Sequence, residues 1–125
     1  MAEHNELGKL GEQLASDFLI AKGYQILEQN WSCGHKEIDI IAKDGDELVI
    51  VEVKTRRVTF LVDPEETVDK MKQRYLIWAA EAYVERNNLD MDVRFDIVAI
   101  VVDNNNEHRV DHIENAFYPT ISRRR

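Results

Sequence analysis

From Leu7 the apolar residues Leu10, Leu14, Ala15, Phe18, Leu19 and Ala21 recur at three- and four-residue spacing, which is one face of a helix, and Gly23 follows as its stop. The pattern then shortens to the period of strands, over Tyr24 to Asn30, Glu37 to Ala42 and Leu48 to Thr55. The last two runs are rich in β-branched residues and flank Lys43-Asp44-Gly45-Asp46-Glu47, the composition of a hairpin connection. Trp31 to Lys36 has no regular period and is expected to be an exposed loop, while Arg56 to Val62 fits neither period. Asp63-Pro64-Glu65-Glu66 combines an N-cap, a first-turn proline and an acid three residues after the cap, so a helix is expected to start there. Met71, Tyr75, Trp78, Ala79 and Ala82 keep one face of a second helix apolar up to Asn87-Asn88, with a break expected near Thr67. Asp92 to Val102 predicts a strand whose second half is apolar on both sides and so covered twice. A turn at Asp103 to Asn106 leads to a weaker strand around Arg109 to Ile113. The order αβββαββ predicts an α/β layered fold, a mixed sheet flanked by helices.

The length of 125 residues fits a single domain spanning 1–125, with no internal repeat or linker. An apolar share of 44% with a charged share of 32% is that of a globular chain. No apolar run approaches a membrane span, and the first residues lack the layout of a secretory signal, so a cytoplasmic location without a membrane partner is expected. Cys33 is the single cysteine, which excludes an internal disulfide. The formal net charge of -8 weighs against a nucleic-acid partner, because polyphosphate binding depends on Lys and Arg. Distribution matters more than the sum: basic residues gather at Lys54 to Arg57, Lys70 to Arg74 and Arg123 to Arg125, while many acids lie elsewhere.

Alternation along Leu48 to Thr55 puts Leu48, Ile50, Glu52 and Lys54 on one face, so a carboxylate and an ammonium interrupt apolar surface. Buried charges need each other, a metal or water. A connection from Asp44 to Glu47 pairs Lys43 with Leu48. Antiparallel partners keep a constant index sum, so Asp39 then falls across from Glu52, Cα atoms roughly 4.5–5.5 Å apart. An odd-length loop or a bulge would break that relation. Two close carboxylates repel, and a hard divalent cation removes the cost: Mg²⁺ takes one or two carboxylates together with water and phosphate oxygens. Glu12 is a further candidate, in Gly8-Lys9-Leu10-Gly11-Glu12 of the first helix. Two glycines inside a helix cost ~1 kcal/mol each relative to alanine and imply a close backbone approach to something, which the metal-bearing sheet would satisfy.

Glu37-Ile38-Asp39 followed by Glu52-Val53-Lys54, after a helix with Gly-x-x-Gly-Glu, resembles the PD-(D/E)XK nuclease signature. More narrowly, the chain resembles the YraN-type family of bacterial proteins, similar in site layout to archaeal Holliday-junction resolvases. The likeness runs through Gly23-Tyr24, Asn30-Trp31, Asp44-Gly45, Val51 to Arg56, Lys72-Gln73-Arg74, Arg94-Phe95-Asp96 and Asn115-Ala116-Phe117. It implies a restriction-endonuclease-like core in which Asp39 and Glu52 hold Mg²⁺ or Mn²⁺, joined by the Val53 carbonyl. Lys54 is implied to position or help deprotonate the attacking water and to meet the charge growing on the phosphate, and Glu12 to complete the outer site. The implied activity is hydrolysis of phosphodiester bonds in DNA, including branched DNA, and a homodimer would suit a substrate with two-fold symmetry.

Plainer readings stand beside these. Asp39, Glu52 and Lys54 also fit a structural ion-pair cluster, and Glu12 a solvated helix residue. Arg56, Arg57, Lys72 and Arg74 are expected to contact phosphates, though such residues equally make a solvated face. Trp31 fits either a stacked base or a core side chain. Cys33 and His35 match no common zinc spacing with His108 and His112, and Arg123 to Arg125 fit a frayed tail. The alternative functions are a non-catalytic nucleic-acid-binding module of the same fold and a protein-interaction domain.

Overall fold

The computed structural model of the chain describes residues 2–57, 67–105 and 107–119. Its elements run α1 (Ala2–Ala21), β1 (Gln25–Cys33), β2 (Lys36–Asp44), β3 (Glu47–Arg57), α2 (Lys70–Arg86), β4 (Asp92–Val102) and β5 (His108–Phe117), the expected αβββαββ order. The strands form one sheet in sequential order, antiparallel throughout except for the parallel pair β3 and β4. Parallel neighbours need a crossover connection, and α2 lies within it.

Period-two alternation divides the sheet between two helices. Leu48 and Ile50 of β3 pack with Leu76, Ala79, Ala80 and Tyr83 of α2, while Val49 and Val51 pack with Ala15 and Leu19 of α1. The helices therefore cover opposite faces, and the apolar run of β4 is covered twice as its sequence predicts: Phe95 and Ile97 lie in one cluster, Val98 and Ile100 in the other. Leu19 and Leu76, with at most 1% exposure, contribute roughly 1.5–3 kcal/mol each by burial, so packing rather than helix propensity fixes these helices. No helix among the described residues is long and apolar enough to cross a membrane.

Chain reversals follow local chemistry. Gly23 adopts φ 97°, which lets its N–H reach the Ile20 carbonyl and the Tyr24 N–H reach that of Leu19, a Schellman end to α1. The β2–β3 turn is Gly45-Asp46, since Asp44 pairs with Glu47. Asp69 caps α2, its carboxylate accepting from the Lys72 N–H at 2.8 Å. The expected cap at Asp63 to Glu66 lies outside the described residues, as do Arg123 to Arg125.

Two expectations are corrected. Trp31 to Lys36 is not an exposed loop: Trp31 pairs with Ile38 and Cys33 with Lys36, leaving only Gly34-His35 as the turn. The Trp31 ring meets Tyr83 edge-on at 5.1 Å and Cys33 is buried, so packing on α2 supplies the order that local periodicity lacks. Likewise β5 runs on to Phe117, which stacks on Phe95 at 5.0 Å.

Candidate metal centre

The β2–β3 register is the one the hairpin parity predicts, pairing Lys43 with Leu48, but the ladder stops at Ile40 and Val51. Asp39 and Glu52 are therefore not strand partners. Instead the Val53 N–H donates to the Asp39 carboxylate, Oδ2, at 2.8 Å. On the other side, Gln29 pairs with Ile40 and Trp31 with Ile38, and between them Asn30, facing Asp39, takes φ 53°. Asparagine tolerates this left-handed conformation better than most residues. Ile38 and Ile40 pack on opposite faces, so strict alternation also breaks at Asp39. The sheet opens on both sides of this residue, as the repulsion of two directly opposed carboxylates would favour.

The opening leads into a cavity of about 270 Å³ lined by Leu7, Gly8, Glu12, Asp39, Glu52, Val53 and Thr55. One of the two α1 glycines explains how the helix comes so near: a Cβ on Gly11 would overlap the Thr55 side chain. Gly8 has nothing within 4 Å of such a Cβ and borders the cavity directly.

Three acids, Glu12, Asp39 and Glu52, line the cavity, and few donors reach them. Burial and the nearby Glu52 carboxylate push Asp39 up to about 7, against the Val53 N–H and the charge of Lys72. Glu52 is 13% exposed, and its Oε2 meets the Lys72 ammonium at 3.5 Å. Its Oε1 is buried and has no hydrogen-bond partner. Burial and the Asp39 charge also raise Glu12, which a hydrogen bond with Asn30 opposes. Among the described residues no three His, Cys, Asp or Glu side chains close around one point. The arrangement is a carboxylate pair with a third acid nearby, a donor set that suits Mg²⁺ or Mn²⁺, because such ions keep several water ligands. An unpaired buried carboxylate oxygen costs at least 1–3 kcal/mol, and a cation removes that cost.

Of the residues singled out in the sequence, Glu12, Asp39, Glu52 and Val53 are brought together. Lys54 is half-buried on β3 beside Ala99 of β4 and does not line the cavity. Arg56, Arg57 and Arg74 are exposed, and Arg57 donates to the Asp103 carbonyl. Lys72, expected on phosphate, is the cation at the carboxylate pair. Trp31 belongs to the core rather than to an open surface, with Arg86 over its ring at 5.5 Å.

Sequence reading passed over Asn30, since its role depends on the β1–β2 register. It also passed over a second buried charge cluster on the α1 face. Arg94 grips Asp96 through Nε and Nη2, each at 3.0 Å, and reaches Asp44, Glu47 and the Tyr24 hydroxyl. His112 Nε2 lies 2.7 Å from Asp96, and Lys22 Nζ lies 2.8 Å from His112 Nδ1. Lysine can only donate, so Nδ1 accepts and Nε2 carries the proton given to Asp96. The signal was available: Asp92, Arg94 and Asp96 alternate with apolar residues on one face of β4, as Glu52 and Lys54 do on β3.

Together the fold and the site define an α/β protein with a mixed sheet and an acidic cleft between its first helix and its central hairpin. The chain belongs to the Uncharacterised protein family UPF0102, whose model matches residues 11–100, a stretch that holds Glu12, Asp39, Glu52, Lys54 and Lys72. It is 50% identical over 121 residues to a UPF0102 protein of Bacteroides thetaiotaomicron, covering 97% of this chain and 99% of that one. A UPF0102 protein of Flavobacterium psychrophilum is 48% identical over 118 residues, covering 94% and 98%. One of Porphyromonas gingivalis is 45% identical over 118 residues, covering 94% and 87%.

Proposed function

We propose that the chain is a metal-dependent nuclease of the PD-(D/E)XK type that hydrolyses phosphodiester bonds in DNA, with Asp39 and Glu52 holding one Mg²⁺ or Mn²⁺ ion. The observation that carries this reading is the buried Oε1 of Glu52, which no donor reaches, beside an Asp39 carboxyl that the same side chain contacts and pushes up more than any other charge does. Such a pair resolves its repulsion by keeping a proton or by taking a cation. An ion bound there would polarise a phosphoryl oxygen and lower the pKa of the attacking water.

The side chains supply the positioning. The Val53 N–H fixes one oxygen of Asp39 and leaves the other to the cation, with the Val53 carbonyl as a further ligand. Lys72 steadies Glu52 from α2. Lys54, two residues beyond Glu52 on β3, makes no hydrogen bond or ion pair among the described residues, so its ammonium would be available to orient water and to meet charge on the phosphate. Glu12, across the cavity, accepts a hydrogen bond from that water. Branched DNA is the substrate that the resemblance of the Asp39 and Glu52-Val53-Lys54 pattern to archaeal junction resolvases would imply.

The test is cleavage of supercoiled, linear and branched DNA by purified protein with Mg²⁺ or Mn²⁺. The wild type is expected to nick or cut at least one form, and Glu52→Ala and Lys54→Ala to lose roughly 10²-fold or more. Equal activity in the variants would trace the cutting to a contaminant, and salt-dependent binding without cutting in either metal would leave a binding module instead.

A further inference from the structure

The outward side of α2 carries large apolar side chains that the fold leaves open. Met71 is 70% exposed and Trp78 53%. The Trp78 ring lies 5.9 Å from that of Tyr75, inclined by 47°. It also leans over the β1–β2 turn, where a Cβ on Gly34 would stand 3.6 Å from it. Tyr75 is held from below, its hydroxyl donating to the Cys33 carbonyl at 2.8 Å, with Lys36 Nζ over its ring at 5.8 Å. The acid adjoining Tyr75 is Glu37. Trp78 therefore offers an open aromatic face on a fixed base.

Cations stand on two sides of it: Arg74 lies one turn before Trp78 on α2 and Lys36 over the Tyr75 ring, with Glu81 one turn after Trp78 and Glu37 beside Tyr75 as the neighbouring acids. Two elements connect this patch to the carboxylates: Lys72, on the same helix as Trp78, meets Glu52, and Lys36, over the Tyr75 ring, lies on the strand that carries Asp39. An aromatic face flanked by cations matches an unpaired base with its neighbouring phosphates, since stacking is sequence-tolerant and arginine and lysine meet the backbone.

We propose that Trp78, backed by Tyr75 and flanked by Lys36 and Arg74, is a stacking platform for an unpaired base of single-stranded DNA, on the strand whose bond is held at Asp39 and Glu52. The inference takes its substrate from the nuclease reading but rests on different residues. It gives the enzyme a preference for DNA with a melted or displaced strand beside the cut over uninterrupted duplex.

The experiment uses the full chain in EDTA, so that nothing is cut, with a 5′-labelled single-stranded oligonucleotide and its blunt duplex. Anisotropy and intrinsic tryptophan emission are read in parallel, and oligomeric state by sedimentation. Wild type is expected to bind the single strand more tightly than the duplex, with quenching of its emission. Trp78→Ala should weaken single-strand binding about tenfold and remove the quench, while Trp78→Phe keeps most of the affinity and both variants keep the wild-type circular dichroism. Unchanged affinity in Trp78→Ala, or emission that does not respond to the oligonucleotide, would overturn the platform. So would a Trp78→Ala shift from dimer to monomer with DNA binding intact, which would make the patch a contact between two copies. If wild type stacks the oligonucleotide yet cuts nothing in Mn²⁺, the nuclease reading falls and the platform stands. Cutting that survives alongside unchanged Trp78→Ala affinity does the reverse.

Discussion

Asp39 and Asp96 hold equivalent places in the sheet and have opposite surroundings. Asp39 stands one residue beyond the last β2–β3 pair, and Asp96 at the register shift between β4 and β5. Each faces an asparagine with positive φ, Asn30 at 53° and Asn115 at 56°. Each also takes one backbone N–H, from Val53 at 2.8 Å and from Asn115 at 3.0 Å. Beyond that the company differs. Burial pushes Asp96 up, but hydrogen bonds from His112, Arg94 and the Asn115 N–H outweigh it and hold the carboxyl below its ordinary value. Asp39 is pushed up to about 7 by burial and by Glu52, with little to offset them. The same backbone device thus builds a closed clamp at one point and a carboxylate pair short of donors at the other. Which one results depends on whether the neighbouring side chains donate or accept.

The strongest way to break the contrast is to remove the donor from the clamp. Arg94→Met leaves Asp96, 1% exposed, without its main partner, and is expected to cost about 3–5 kcal/mol in urea unfolding; a change below 1 kcal/mol would show that the clamp is ornamental. Asp39→Asn should act the other way. A carboxyl whose folded pKa lies above its unfolded value of 3.8 leaves the fold most stable at low pH and withdraws stability as pH rises toward about 7. Without divalent metal, Asp39→Asn should therefore be more stable than wild type at pH 8 by ~2–4 kcal/mol and equal to it near pH 4. Comparing the two unfolding curves across that range checks the sign.

A smaller effect sharpens the geometry. Gly11→Ala forces α1 off Thr55 and should cost ~1–3 kcal/mol while weakening Mn²⁺ binding. Gly8→Ala meets open space and should be neutral or gain up to ~1 kcal/mol from helix propensity. Thermal melts of the two alanine variants with and without Mn²⁺ would separate close approach from simple helix preference.

Much of this was legible before any coordinates. Alternation in Leu48 to Thr55 and the even hairpin parity placed Asp39 and Glu52 near each other, and the paired glycines announced a helix pressed on the sheet, which holds for Gly11. What stayed hidden depended on tertiary context. Trp31 to Cys33 looked irregular because its order comes from α2. Direct strand pairing of Asp39 with Glu52 failed because the ladder ends at Ile40 and Val51, and the Asp39 side chain takes the Val53 N–H instead. Lys72 could be placed at Glu52 only once the helix was docked, since nothing in a helical period says which cation reaches a strand two elements away.

Calorimetric titration of the metal-free protein with Mn²⁺ at pH 7, repeated in buffers of different ionisation enthalpy, tests the carboxylate pair most directly. One ion per chain should bind with release of protons, and Asp39→Asn and Glu52→Gln should each abolish the heat. Absence of binding to wild type, or undiminished binding to both variants, would contradict a shared cation at these two side chains.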